Sequence, residues 1–180
     1  MIFNLPILLT LLRILAIPLV VLFFYLDMPL TSSTIFGLAG LTDLVDGYLA
    51  RKYNQESRFG AFLDPVADKL LVAVALLLVV ERESMFWITF AAIIIISREI
   101  TISALREWMA ETGQRSKVAV AYIGKVKAVT QILALIFLLY NQDLWGLPLR
   151  EVGLVLLVVA TVLTVGSMVQ YLQGAFSRDE

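Results

Sequence analysis

The sequence predicts an all-α integral membrane protein, with six transmembrane helices preceded by a short interfacial N-terminal helix. Hydrophobic residues make up 60% of its 180 residues, and the mean hydropathy is +0.89. A soluble domain of this length cannot bury so much apolar surface. The apolar runs are also close to the roughly 20 residues that a helix needs to cross the hydrocarbon core. Both observations favour a bundle of membrane-spanning helices.

The chain begins with an apolar stretch, residues 1–13, that lacks the basic start and the small-residue cleavage site of a secretory signal. Because Arg13 interrupts what would otherwise be one long span, we predict that this stretch is an interfacial helix. Residues 14–172 are predicted as a six-helix bundle and residues 173–180 as a cytoplasmic tail, within a single domain 1–180. The predicted spans are residues 14–30, 33–51, 60–80, 85–110, 118–140 and 149–172.

Lysine and arginine are concentrated at one end of the predicted bundle. With the N-terminus inside, only Arg82 and Arg150 lie towards the far face. By the positive-inside rule the basic end is cytoplasmic, so both termini are predicted on that side. The basic residues at the cytoplasmic end are Arg13, Arg51, Lys52, Arg58, Lys69, Arg98, Arg106, Arg115, Lys117, Lys125, Lys127 and Arg178.

The chain contains no cysteine and no histidine. This composition excludes disulfides, thiolate chemistry, zinc sites of the Cys/His type and imidazole acid–base catalysis. Any chemistry must therefore come from carboxylates, hydroxyls and cations. No nucleic-acid partner is expected.

Four aspartates, Asp43, Asp46, Asp64 and Asp68, stand in this apolar chain at spacings that place each pair on one face of a helix. A charge in a membrane helix costs roughly 2.5–3.5 kcal/mol on insertion scales, so converging carboxylates need compensating cations. Carboxylates alone select a hard cation, Mg²⁺ or Mn²⁺, and four are more than one such ion normally takes. Two bridged metals fit better, and they are the usual clamp for displacement at phosphorus. The alternative is a proton or ion pathway, or ion pairs with Arg51, Arg58 and Lys69.

Three small residues, Gly47, Ala50 and Gly60, lie in register with the aspartates. They leave room for the phosphate-bearing or flat part of a ligand to approach the backbone. The alternative is close helix packing of the small-xxx-small type, which needs no ligand.

A second polar group is basic. Arg98 and Arg106 are eight residues apart on nearly one helix face, and Lys117, Lys125 and Lys127 follow. Such forks and point charges suit a phosphate monoester. Lys125 and Lys127 point about 200° apart on a helix, so only one is expected in the pocket. We predict Lys125 there and Lys127 snorkelling or at lipid phosphate, although topology and contact with anionic lipid alone also explain basic residues here.

The pattern over residues 43–68, D-x2-D-G-x2-A-R-x8-G-x3-D-x3-D, resembles the signature of the CDP-alcohol phosphatidyltransferase family at every fixed position. Segments 58–69, 97–110 and 123–127 resemble the bacterial branch of this family whose acceptor is glycerol 3-phosphate. Residues 4–13 resemble the family's entry segment, with Ile7 where many members have asparagine. This departure weakens the case for a role of Asn4, Thr10 and Arg13 in nucleotide binding, and that role stays open.

The resemblance implies a homodimer of the bacterial inner membrane that transfers a phosphatidyl group from CDP-diacylglycerol to sn-glycerol 3-phosphate and releases CMP. It implies that Asp68 is also the base, and that two divalent cations are held by Asp43, Asp46, Asp64 and Asp68. It implies that the cytidine diphosphate moiety contacts Gly47, Ala50, Arg51 and Gly60. The pocket expected for the acceptor phosphate contains Arg98, Arg106 and Lys125.

Two other functions stay open at this point. The same chemistry could use a different acceptor, such as serine, inositol phosphate or phosphatidylglycerol. A carboxylate-lined ion transporter is the alternative from a different class, although the first, fifth and sixth spans are nearly free of acids.

Overall fold

The computed structural model describes residues 5–53, 58–111 and 122–176, and within them the side chains of residues 8–42, 60, 63–111, 124 and 126–173. The described residues form six α-helices and no β-strand, which confirms the predicted all-α class. Each predicted span corresponds to one helix, but the first, residues 14–30, extends past the end of α1 into the first residues of α2, and the start of the fifth, residues 118–121, lies outside the described residues. The helices are α1 (Leu5–Tyr25), α2 (Pro29–Tyr53), α3 (Arg58–Glu83), α4 (Phe86–Glu111), α5 (Tyr122–Tyr140) and α6 (Leu149–Phe176).

The first helix differs from its prediction, because α1 continues through Arg13 without a break. The side chain of Arg13 is 1% exposed, and its Nε donates a hydrogen bond to the carbonyl oxygen of Ala39 on α2 at 3.3 Å. A charge that is bonded inside the bundle does not force the helix to end. The predicted break at residue 13 is therefore wrong, because the described part of this stretch is continuous with the first span; its position at the membrane interface stays a prediction.

Three helices are long and apolar enough to cross a membrane: Leu8–Tyr25 in α1, Phe86–Glu111 in α4 and Leu149–Gln173 in α6, among the residues that the structure describes. A shorter apolar helical stretch, Val126–Tyr140, lies in α5. The lower apolar content of α2 and α3 reflects the acidic and basic residues of the 43–69 region. These findings agree with an integral membrane protein.

The bundle is apolar both inside and outside. Its core contains fully buried residues from several helices, such as Phe36, Leu76, Ile95, Leu135 and Leu157. Large aliphatic side chains also cover the outer surface. A helix that is hydrophobic all round is typical of a membrane span, whose outer face contacts lipid rather than water.

A close helix contact holds α5 against α6, the most extensively packed pair in the described bundle. A Cβ atom added at Gly153 would lie 2.9 Å from Cγ of Leu138 and 3.1 Å from Cβ of Phe137. Gly153 therefore permits an approach that any larger residue would oppose.

The C-terminal end of α3 connects other helices through the α3 C-terminal cluster, which we define as Glu81, Arg82 and Glu83. Glu81 Oε2 accepts a hydrogen bond from the Tyr25 hydroxyl on α1 at 2.6 Å. Glu83 forms a two-bond ion pair with Arg150 on α6, at 3.1 Å from Nε and 2.5 Å from Nη2. Bidentate geometry of this kind is stronger than a single contact between point charges.

The middle residue of the cluster caps a helix. Arg82 Nη1 donates to the carbonyl oxygen of Leu139 at 2.9 Å, in the last turn of α5. A cation at this position complements the negative end of the helix dipole. The guanidinium also lies 4.1 Å from the centroid of the Phe24 ring on α1. The cluster thus connects α3 with α1, α5 and α6 at one end of the bundle.

The substitution Gly153→Ala should destabilise the protein, because the added methyl group overlaps Leu138 and overpacking typically costs about 1–3 kcal/mol. Gly166 on the same helix has no atom within 4 Å of its added Cβ, so Gly166→Ala is the matched control. We expect a lower Tm in detergent for Gly153→Ala and an unchanged or higher Tm for Gly166→Ala. Equal Tm values for the two variants would contradict the close α5–α6 contact.

Candidate active site

A polar cavity of about 170 Å³ lies between α3, α4, α5 and α6. This volume is more than ten times the roughly 10–15 Å³ that a single water requires, so the cavity has room for a small ligand. The residues around it are Asp68, Lys69 and Val72 of α3, Arg98, Glu99 and Arg106 of α4, Gly124, Lys127, Ala128, Gln131 and Ile132 of α5, and Tyr171 of α6.

Arg98 is fixed in the cavity by contacts with three other side chains. Its side chain is buried, Nη2 donates to Ser167 Oγ at 3.2 Å, and the guanidinium carbon lies 5.3 Å from the centroid of the Tyr171 ring. Glu99 Oε1 lies 3.5 Å from Nη1. The buried Nε has no hydrogen-bond partner within the described part of the protein, so one donor of this guanidinium is left unsatisfied.

Lys127 also belongs to the cavity, contrary to the sequence prediction. It is 3% exposed, and its ammonium group forms an ion pair with Glu99 on α4. The prediction that Lys127 snorkels or meets lipid phosphate is therefore wrong, because Glu99 holds the ammonium group inside the bundle. The side chain of Lys125 lies outside the described residues, so its predicted role is not tested.

The cavity carries an excess of positive charge. Among the described residues that line it, four are cations (Lys69, Arg98, Arg106 and Lys127) and two are carboxylates (Asp68 and Glu99), a formal excess of 4 − 2 = +2. The two carboxylates therefore do not neutralise the four cations. A phosphate monoester dianion has the complementary charge, and Arg and Lys donors are its usual ligands.

Asp64 and Asp68 lie one turn apart on α3. Asp68 faces the cavity, and Asp64 accepts a hydrogen bond from the hydroxyl of Thr10 on α1. Thr10 is fully buried, so the bond links α1 to the acidic part of α3. Gly60, one turn before Asp64, is also buried.

The remaining predicted site residues lie on α2. The helix extends over Asp43, Asp46, Gly47, Ala50 and Arg51, but their side chains lie outside the described residues. Among the side chains that are described, no group of three acids or other ligands forms a metal site. The convergence of all four aspartates stays a prediction.

Four residues that line the cavity or bond to its acidic side were not predicted as site residues from the sequence: Thr10, Glu99, Lys127 and Gln131. For the α5 residues a signal existed, since Gly124, Lys127, Ala128 and Gln131 recur at helical spacing on one face. Glu99 directly follows Arg98 and would have indicated an ionic partner. Thr10 is one of two polar residues, with Arg13, in an otherwise apolar helix, which is a weaker signal.

The fold and the site define an integral membrane helical bundle in which an aspartate-bearing helix borders a basic cavity. A sequence model described as CDP-alcohol phosphatidyltransferase matches residues 3–166. The chain belongs to the CDP-alcohol phosphatidyltransferase family.

Relatives with curated names are similar over almost their whole length. A protein of Salmonella choleraesuis (strain SC-B67) is 53% identical over 176 residues, which cover 96% of this chain and 95% of the relative. Proteins of Shigella flexneri serotype 5b and Haemophilus influenzae are each 54% identical over 176 residues, covering 96% of this chain and 95% and 94% of the relatives. All three are named CDP-diacylglycerol--glycerol-3-phosphate 3-phosphatidyltransferase.

Removing the carboxylate of Glu99 should destabilise the bundle, because it leaves the buried ammonium group of Lys127 without its counter-charge. Breaking a buried ion pair from one side typically costs about 3 kcal/mol or more. We expect Glu99→Gln to lower the Tm in detergent, and the double variant Glu99→Gln/Lys127→Met to recover part of the loss.

Glu107→Gln is the control, since Glu107 is exposed on the same helix. Additive losses in the double variant would show that the two side chains do not stabilise each other.

Proposed function

We propose that this protein transfers the phosphatidyl group of CDP-diacylglycerol to sn-glycerol 3-phosphate, forming phosphatidylglycerophosphate and CMP. The observation that carries the proposal is the basic cavity beside Asp68. A phosphate-bearing acceptor fits its formal charge of +2, and Asp68 lies at the same cavity as the cations that would hold that acceptor. The names of the similar proteins support the same acceptor.

The acceptor phosphate binds to Arg98 and Arg106 in this proposal. Arg98 is fixed by Ser167 and Tyr171 and keeps a buried Nε without a partner among the described residues. Lys127 adds a further positive charge, which makes it a candidate alongside the predicted Lys125. An acceptor without a phosphate, such as serine, would leave these cations uncompensated.

Asp68 acts as the base. The oxygen of the acceptor hydroxyl forms a bond to the phosphorus that carries the diacylglycerol, and the bond from that phosphorus to the oxygen of CMP breaks. The hydroxyl proton passes to Asp68, and the bonding electrons leave with CMP. A carboxylate can serve as base when it is positioned within hydrogen-bond reach of the proton.

Two divalent cations, Mg²⁺ or Mn²⁺, are the proposed cofactors. Asp43, Asp46, Asp64 and Asp68 would hold them, and the all-carboxylate donor set fits hard cations. The fit is supported at α3, where Asp64 and Asp68 are one turn apart and each carboxylate has lone pairs for more than one partner. When bound, such cations neutralise charge on the diphosphate oxygens.

The cytidine diphosphate moiety is proposed to contact Gly47, Ala50, Arg51 and Gly60. Gly60 is buried one turn before Asp64, which brings a residue without a side chain next to the acidic part of α3. The acyl chains stay in lipid throughout. The protein is proposed to work as a homodimer in the bacterial inner membrane, with both termini and the active site on the cytoplasmic side.

The experiment that tests the function measures CMP release by the purified protein with CDP-diacylglycerol and Mg²⁺ or Mn²⁺. We expect release with glycerol 3-phosphate, loss of release on chelation, and little release with serine, inositol phosphate or phosphatidylglycerol. Asp68→Asn should lower kcat by about 10²–10⁴-fold while the protein still inserts into the membrane. Release with another acceptor alone would move the protein to a different branch of the family. Undiminished turnover by Asp68→Asn would exclude this base.

The phosphate pocket makes a separate prediction about acceptor affinity. Arg106→Gln should raise the KM for glycerol 3-phosphate about 10- to 100-fold, since a hydrogen bond to a charged group contributes about 1.5–3 kcal/mol. The KM for CDP-diacylglycerol should change little.

The matched control is Glu107→Gln, which changes an exposed charge at the neighbouring position and does not line the cavity. An Arg106→Gln variant with a normal acceptor KM would remove Arg106 from the pocket.

A further inference from the structure

The cavity contains a buried amide that the reaction described above does not use. Gln131 lines it and is 3% exposed, and its Oε1 has no hydrogen-bond partner within the described part of the protein. A buried polar atom without a partner typically costs about 1–3 kcal/mol. A group that supplies the missing hydrogen bond is therefore expected in the cavity.

The position of Gln131 relates this amide to the basic residues. It lies one helical turn beyond Lys127 on the same face of α5, and both line the cavity that Arg98 and Asp68 also line. Beyond it the wall becomes apolar with Ile132. Gln131 is thus the last hydrogen-bonding side chain of α5 on the cavity side before the apolar interior.

The two unpaired polar atoms indicate which chemical groups a ligand of the cavity would carry. Arg98 Nε is a donor without a partner and Gln131 Oε1 is an acceptor without a partner, again among the described residues. An anionic oxygen satisfies the first, and a hydroxyl satisfies the second. A phosphate ester with at least one hydroxyl that the reaction does not consume would supply both groups.

Glycerol 3-phosphate has two hydroxyls, of which the primary one is the nucleophile in phosphatidyl transfer. We propose that Gln131 is a specificity-determining residue that binds the secondary, non-reacting hydroxyl of the acceptor. This inference rests on the proposed function, which supplies the acceptor. A hydroxyl both donates and accepts, so it can pair with either end of an amide. A site built for a hydroxyl discriminates against an analogue that lacks it, because the amide is then left unpaired.

The test compares glycerol 3-phosphate with 3-hydroxypropyl phosphate, which keeps the phosphate and the primary hydroxyl and lacks the secondary one. CMP release by the full-length protein is measured for the wild type and for Gln131→Met, a change of similar length without a hydrogen-bonding group. We expect the wild type to prefer glycerol 3-phosphate at least about tenfold in kcat/KM. Gln131→Met should lose about tenfold with glycerol 3-phosphate and less than about twofold with the analogue.

The control variant is Thr130→Val. Thr130 neighbours Gln131, its hydroxyl bonds back to the carbonyl oxygen of Val126 at 2.9 Å, and it does not line the cavity. This variant should keep the wild-type preference. If Gln131→Met does not fold, Gln131→Asn replaces it, because the shorter amide withdraws the oxygen by one methylene and should weaken use of glycerol 3-phosphate selectively.

Two results would overturn the inference while leaving the proposed function intact: equal use of both acceptors by the wild type, or the same fold-loss with both acceptors in the Gln131 variant. No CMP release from the wild type with glycerol 3-phosphate would instead refute the proposed function itself. The two failures are therefore distinguishable in one set of assays.

Discussion

The described bundle depends on the pairing of charges that are buried among apolar helices. Glu99 on α4 holds the ammonium group of Lys127 on α5 and lies 3.5 Å from Arg98, while Arg98 reaches Ser167 on α6. An unpaired charge at such depth would cost several kcal/mol, so these contacts restrict how the three helices can be arranged. The same arrangement leaves a polar cavity between them. Stability and binding capacity therefore come from one set of residues.

Inside the cavity, charges and hydrogen-bonding atoms are only partly paired, which leaves positive charge and two polar atoms for a ligand. The two carboxylates do not neutralise the four cations, and the buried Arg98 Nε and Gln131 Oε1 have no partners among the described residues. A small phosphorylated acceptor with a free hydroxyl complements both the charge and the hydrogen bonding. Asp68 of α3 lines the cavity, one turn after Asp64, so a ligand in the cavity would lie beside a carboxylate of the predicted acidic site. This proximity links the binding of the acceptor to the proposed chemistry.

Much of the architecture was predictable because membrane helices have simple sequence rules. Arg98 was correctly expected at a cavity, since an arginine after an isoleucine run has no other favourable environment. Helical spacing predicted that only one of Lys125 and Lys127 faces the pocket, but it did not indicate that Lys127 faces the cavity, because Glu99, which pairs with Lys127, lies on another helix. The boundary at Arg13 failed for the same reason, because the carbonyl oxygen that binds it belongs to Ala39 on α2. Contacts between helices are the information that spacing within one helix does not contain.

The two ends of α3 have different roles: one end borders the cavity and the other bonds to neighbouring helices. Asp64 is 19 residues from Glu83, which corresponds to about 28 Å along the helix axis. The acidic end borders the cavity, whereas the α3 C-terminal cluster bonds to α1, α5 and α6. In a genetic screen, inactivating substitutions along α3 should accordingly separate into two phenotypes. Those near residue 68 should leave normal amounts of an inert protein in the membrane, and those at residues 81–83 should reduce its abundance while the surviving molecules keep their turnover.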